Sequence, residues 1–211
     1  MAHPVYLVDD DDAVRQALML LLSTVGIEAQ GFADPQRFLA QRGRLAPGCL
    51  VLDIRMPQVS GLKLQQQLVD DGLDWPVIIM SGHGDIEACR KAFRQGAVDY
   101  LSKPIDEQDL IDAIQKAQDI LTARLRRQAE LSELRALLQA LTPRERQILD
   151  RVAAGYTSRE IADGLGVSAR TVESHRAAIG AKLGTTSQVE MTRLWLEGQG
   201  LLPAAEPRRD A

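Results

Sequence analysis

Four groups of side chains in the first 104 residues have the types needed to place a phosphoryl group on a carboxylate. Asp53 closes the apolar run Cys49-Leu-Val-Leu and is followed at once by the loop Ile54-Arg-Met-Pro57. Asp9-Asp10 follows Val5–Val8, Ser81 follows Val77–Met80, and Lys103 precedes Pro104 just after Val98–Leu101. Three gathered carboxylates repel one another unless a cation joins them. An all-oxygen set with room for water suits Mg²⁺. With charge on the transferring group neutralised, a carboxylate is a competent nucleophile toward phosphorus. Lys103 would bring a positive charge to the phosphoryl oxygens and Ser81 a hydroxyl, while Gly82 keeps the approach open. Each piece alone has a plainer reading, Asp9–Asp12 as the solvated start of a helix for example. Their shared position at strand ends argues for a site.

The elements that would hold these residues alternate. Strands are predicted at Val5–Val8, Ile27–Phe32, Cys49–Leu52, Val77–Met80 and Val98–Leu101. Amphipathic helices fall at Asp12–Val25, Pro35–Gln41, Gly61–Asp71, Asp85–Gln95 and from Glu107 onward, with Asp34 and Asp106 as N-caps. Strands alternating with helices imply a parallel sheet covered on both faces, an α/β doubly wound domain over residues 1–119. Right-handed crossovers put every strand-end residue on one rim.

From Leu110 to Leu141 there is no Gly or Pro. Apolar residues recur at Leu110, Ile114, Ala117 and Leu121 and again at Leu131, Leu134, Leu138 and Leu141, with Arg124 and Gln128 on the seam between. This favours an extended helical linker at 120–140; a break near Arg127 and a short dimer seam are the alternatives. Residues 141–200 read as an all-α domain of four short helices. They start at Thr142-Pro143, at the capping box Thr157-Ser-Arg-Glu160, at Ser168, and at a second capping box, Ser187-Gln-Val-Glu190. The tail 201–211, of Pro, Ala and charge, is expected to be disordered.

Charge divides in the same place. Residues 1–119 carry 11 Lys and Arg against 18 Asp and Glu, a net −7; residues 120–211 carry 14 against 11, a net +3. Two parts of opposite sign suggest different partners. The longest apolar run, Ala17–Leu22, is too short to span a bilayer, and Val5–Val8 followed by four Asp does not read as a secretory signal. Cys49 and Cys89 have no metal-binding spacing and read as inert thiols. No membrane partner and a cytoplasmic location are expected.

Residues 1–119 resemble the receiver domain of bacterial two-component response regulators. The resemblance rests on Val8-Asp-Asp10, Asp53-Ile-Arg-Met-Pro57, Ser81-Gly82, Gly96-Ala97 and Tyr100-Leu-Ser-Lys-Pro104. It implies that Asp53 accepts phosphate from a sensor histidine kinase. It also implies Mg²⁺ held by Asp10, Asp53 and the backbone carbonyl of Arg55, with Asp9 acting through water. Ser81 and Tyr100 would be a switch pair, Lys103-Pro104 a cis peptide, and Arg55 and His83 shields of the acyl phosphate. Beyond self-phosphotransfer and autodephosphorylation, no enzyme activity is implied.

In the second part Ile161, Ala162, Leu165, Val167, Val172 and Ile179 form the shared apolar side of two helices meeting at a tight turn. Outward on the second helix lie Arg170, Glu173, Ser174, Ala177 and Ala178, small and polar enough to enter a major groove. Arg159, Arg170, Arg176 and Lys182 could reach phosphates, as could the helix start at Ser168. A helical hairpin serving dimerisation is the plainer reading. Residues 141–198 resemble the DNA-binding domain shared by the LuxR, FixJ and NarL families, from Leu141-Thr-Pro-Arg-Glu-Arg146 through Thr171-Val-Glu-Ser-His175 to Lys182-Leu-Gly184. The resemblance implies Arg170–Ala177 as the recognition segment. Glu173, Ser174 and Ala177 would lie nearest base edges, Thr171 within the segment, and His175 against phosphate or packed inside. Glu173 either accepts from a cytosine amine or pairs with a neighbouring Arg. A transcriptional regulator that dimerises on phosphorylation and binds double-stranded promoter DNA is the reading, with RNA polymerase as a further partner. Rival readings are an Mg²⁺-dependent phosphatase and a small-molecule-gated regulator.

Overall fold

The computed structural model describes residues 3–57, 59–82 and 86–202. The expectations for His83 and for all but the first two residues of the tail lie outside the described residues. Two compact units divide the chain, Met1–Arg124 and Leu125–Ala211.

The first unit alternates β1 (Val5–Val8), α1 (Asp12–Thr24), β2 (Ala29–Phe32), α2 (Pro35–Gln41), β3 (Cys49–Asp53), α3 (Gly61–Asp70), β4 (Val77–Ser81), α4 (Ile86–Arg94), β5 (Asp99–Ser102) and α5 (Glu107–Gln139). The strands form one sheet in the order β2-β1-β3-β4-β5, all pairs parallel. Side chains alternate between faces, as the pleat requires. Tyr6, Val8, Leu50, Leu52 and Ile79 pack with residues of α2, α3 and α4. Val5, Leu7, Val51, Ile78 and Met80 pack with residues of α1 and α5. Burial on both sides explains why these strands read as unbroken apolar runs. Asp34 Oδ1 caps α2 through Arg37 N at 2.9 Å, and Asp106 Oδ1 caps α5 through Gln108 N at 2.8 Å. Among the described residues no helix is long and apolar enough to cross a membrane.

α5 is one helix of 33 residues, without the break considered near Arg127. Its residues Leu110, Ala113, Ile114 and Ala117 belong to a core of the first unit, and Leu134 and Leu138 to that of the second. The second unit continues with α6 (Pro143–Ala153), α7 (Ser158–Leu165), α8 (Ala169–Leu183) and α9 (Gln188–Gly198). Thr142–Glu145 and Thr157–Glu160 are reciprocal capping boxes. The box expected at Ser187 is only half formed: Ser187 Oγ accepts from Glu190 N, but the Glu190 carboxylate is bonded by Arg193 at 2.8 Å.

Candidate functional site

The strand order reverses direction between β1 and β3, and open α/β sheets bind ligands at the carboxyl ends of the strands flanking such a point. Asp53 ends β3, Asp9 follows β1, and the two strands are paired in register through Val8 and Leu52. Asp9 and Asp53 are buried and Asp10 is exposed, and one oxygen from each lies within 4.8 Å of the others. The ammonium of Lys103 bonds Asp9 Oδ2 at 2.6 Å and Asp53 Oδ1 at 3.0 Å. Lys103 follows β5 at a cis bond to Pro104, and its backbone N–H donates to Ser81 O at 2.7 Å, tying its loop to the end of β4. Arg55 N donates to Asp53 Oδ2 at 3.0 Å while its side chain stays exposed.

The four consecutive aspartates do separate things. Asp9 accepts from Asp11 N at 2.9 Å, and Asp11 is the N-cap of α1. Asp12 pairs with Arg15, whose guanidinium also donates to Asp9 O at 2.7 Å. Burial pushes the Asp53 carboxyl above its ordinary range; Lys103 pulls it down, Asp9 pushes it up, and the net is upward. Burial alone would lower the Lys103 ammonium, but its bonds to Asp9 and Asp53 outweigh this and raise it. Ser81 Oγ and the Tyr100 hydroxyl are both buried without a protein hydrogen-bond partner. Such orphans are costly and recur where a ligand or a rearrangement satisfies them.

A residue that sequence reasoning missed is Gly61. A Cβ there would lie 2.2 Å from Asp53 O, so the start of α3 sits directly on the backbone of Asp53. Its only sequence signal is a glycine at a first helical position, eight residues after the acid.

In the second unit α7 and α8 meet at Gly166, in the left-handed region at φ 64°, and Val167 N donates to Ala162 O at 3.1 Å. All six predicted apolar residues join one core. Arg170, Glu173, Ser174 and Ala177 are exposed along α8, and Thr171 and His175 are half-buried. Ser168 caps α8 through Thr171 N, and the Ser174 hydroxyl donates back to Arg170 O at 3.1 Å. Arg159 and Arg170 are exposed with no side-chain partner among the described residues. Two other cations are engaged. Arg176 is bonded to Ser158 and Gln188, and Lys182 Nζ bonds the buried Glu145 carboxylate at 2.6 Å. Burial raises the Glu145 carboxyl, but bonds from Lys182 and from Thr142 prevail and hold it below its ordinary value.

Residues 5–115 match the response regulator receiver domain family, and residues 139–195 match the bacterial regulatory proteins of the luxR family. The chain is 39% identical to the response regulator protein TmoT of Ectopseudomonas mendocina over 90% of this chain and 86% of that one. It is 37% identical to the transcriptional regulatory protein FixJ of Rhizobium meliloti over 93% and 96%. The solved structure of the response regulator StyR superposes with a TM-score of 0.79 at 36% identity, over 93% of this chain and all of that one.

Proposed function

Because the chain belongs to the two-component response regulators that carry a LuxR-type DNA-binding domain, a family of transcriptional regulators, we propose that phosphorylation of Asp53 controls its binding to promoter DNA. The observation that carries this is the convergence of Asp9, Asp10, Asp53, Lys103 and Ser81 on one rim of the sheet. A carboxylate oxygen of Asp53 would form the bond to phosphorus as the bond to the histidine kinase's imidazole nitrogen breaks, and the imidazole leaves with its electron pair. Lys103 supplies positive charge to the phosphoryl oxygens, and the unpartnered Ser81 hydroxyl donates to one of them. Arg55 N holds the carboxylate plane. The three-carboxylate oxygen set fits Mg²⁺, which Asp10, Asp53 and the Arg55 carbonyl would hold with Asp9 nearby, and which would supply neutralising charge to the transferring group.

Ser81 and Tyr100 form the switch in this reading, since moving the serine hydroxyl to phosphate alters the space against which the tyrosine packs. The face of α4 and β5 would then serve as the dimer surface; Ile86 and Phe93 are exposed on it. Dimerisation multiplies the affinity of two weak, salt-sensitive modules for paired half-sites. Arg159 and Arg170 would contact phosphates, with Glu173, Ser174 and Ala177 toward base edges. RNA polymerase is proposed as a further partner at the promoter.

The test is Asp53→Asn with acetyl phosphate as donor. Wild-type protein should gain one phosphoryl group by intact-mass measurement and bind operator DNA more tightly. The variant should gain none and keep only basal binding; labelling retained elsewhere on the chain would sink the assignment.

A further inference from the structure

We infer that Arg176 is a positioning residue that fixes where Glu173 meets the base pairs, an inference that rests on the DNA-binding reading above. One guanidinium on α8 reaches the first helical residue of both neighbouring helices. Its Nη1 donates to Ser158 Oγ at 2.8 Å, at the start of α7, and its Nη2 to Gln188 Oε1 at 2.5 Å, at the start of α9. Nη1 also lies 3.5 Å from Glu173 Oε1, and Ser158 Oγ donates to that same oxygen. Serine, glutamate and arginine close a triangle, and Gln188 anchors the guanidinium from α9.

Exposure separates the two charges. The Arg176 side chain is 20% exposed and that of Glu173 61%. A guanidinium presents its donors in one rigid plane, and here that plane is turned to three protein partners. Of the four cations expected at phosphates, Arg159 and Arg170 are exposed with no side-chain partner among the described residues. Glu173 Oε1 is committed to the triangle, whereas Oε2 has no partner among the described residues. An acceptor held on the outward face of a recognition helix suits the exocyclic amine of cytosine. Held in advance, it also spends less side-chain entropy on binding than a freely rotating carboxylate.

The test uses the full chain, phosphorylated with acetyl phosphate. Wild-type protein selects duplexes from a random-sequence pool. Binding is then measured on the selected operator and on its single-base-pair variants at several salt concentrations. Arg176→Lys keeps the charge and loses the planar fork. It should relax preference at one base pair of each half-site by roughly tenfold, with the salt slope unchanged. Ser158→Ala leaves both charges in place and should relax the same position, so the test survives a lysine variant that folds poorly. In a Glu173→Ala background, Arg176→Lys should change that position no further. A lysine variant with wild-type selectivity would overturn the inference. So would an Arg176→Ala variant that weakens all sequences alike and lowers the salt slope by about one, the signature of a phosphate contact. Wild-type protein that selects no sequence is a different failure, that of the DNA-binding reading itself.

Discussion

Replacing Gly61 with alanine sets a methyl group against the backbone of Asp53, the proposed phosphoacceptor. The added Cβ would stand 2.2 Å from Asp53 O and 3.0 Å from its carbonyl carbon, where ordinary contact begins at 3.4 Å. The two must part by about 1 Å, and the obstacle is a backbone that cannot rotate away. Overpacking of this kind costs about 1–3 kcal/mol, a fall of roughly 4–12 °C in melting temperature for a unit of this size. The larger effect falls on chemistry. Asp53 is held by Lys103 at 3.0 Å and Arg55 N at 3.0 Å, so a displaced strand end misaligns both bonds. A misplacement near 1 Å can cost on the order of a hundredfold in rate. The assay is the initial rate of Asp53 labelling by acetyl phosphate, read by intact mass, beside a thermal melt. Labelling at the wild-type rate with an unchanged melt would refute the contact. A lowered melt with wild-type labelling would show that α3 yields while Asp53 stays, and would refute the link to the site.

Lys103→Ala removes the ammonium bonded to both Asp9 and Asp53 and should slow labelling by on the order of a hundredfold; acetyl-phosphate kinetics check it, and a wild-type rate excludes the role. Glu145 has its folded pKa held below the unfolded one, so its contribution is whole above the ordinary carboxylate value and is lost as pH falls through the folded value. Acid melts followed by Trp195 in a Trp75→Phe variant should show this loss below about pH 4.5, and Glu145→Gln should flatten it; superimposable acid limbs would dismiss the pair. Burial pushes the Cys49 thiol up to about 12, so iodoacetamide at neutral pH should leave it unmodified in the native protein and label it only after denaturation; peptide mapping that finds native Cys49 alkylated would contradict its place in the core.

The acid rim is legible because β1, β3 and β4 are apolar runs that stop at or just before a residue proposed to carry chemistry, so one-dimensional position and three-dimensional position coincide. Asp9, Asp53 and Ser81 obey that rule, and Lys103 follows Ser102, the last residue of the polar-ended β5. The edge strands were less well bounded. β2 begins at Ala29 rather than Ile27, whose N–H turns back to Leu22 O at 2.9 Å, and β5 at Asp99 rather than Val98, although Val98 N still donates to Val77 O at 2.7 Å. Polar residues on the seam at Arg124 and Gln128 favour an extended helical linker with a break near Arg127 as the alternative, and α5 runs through both unbroken. The absence of Gly and Pro governs whether the backbone stays helical, whereas the seam governs only what is buried. Gly61, the Lys182–Glu145 pair and the Arg176 bonds were illegible for another reason. Their partners lie 8, 37 and 18 or 12 residues away, brought close by packing that no local pattern encodes.

Leu134 and Leu138 bear on how such chains are recombined. The sequence motif of the DNA-binding module begins at Leu141, yet both leucines upstream of it are buried in that module's core. A gene fusion cut at the motif would discard them, at a cost of about 2–5 kcal/mol apiece. Between Leu121 and Leu131 no side chain of α5 is fully buried. Crossovers between relatives that fall there leave both cores whole. The natural graft point of this architecture is thus a polar stretch of helix, and modules exchanged at residues 122–130 should fold where modules trimmed to the motif would not.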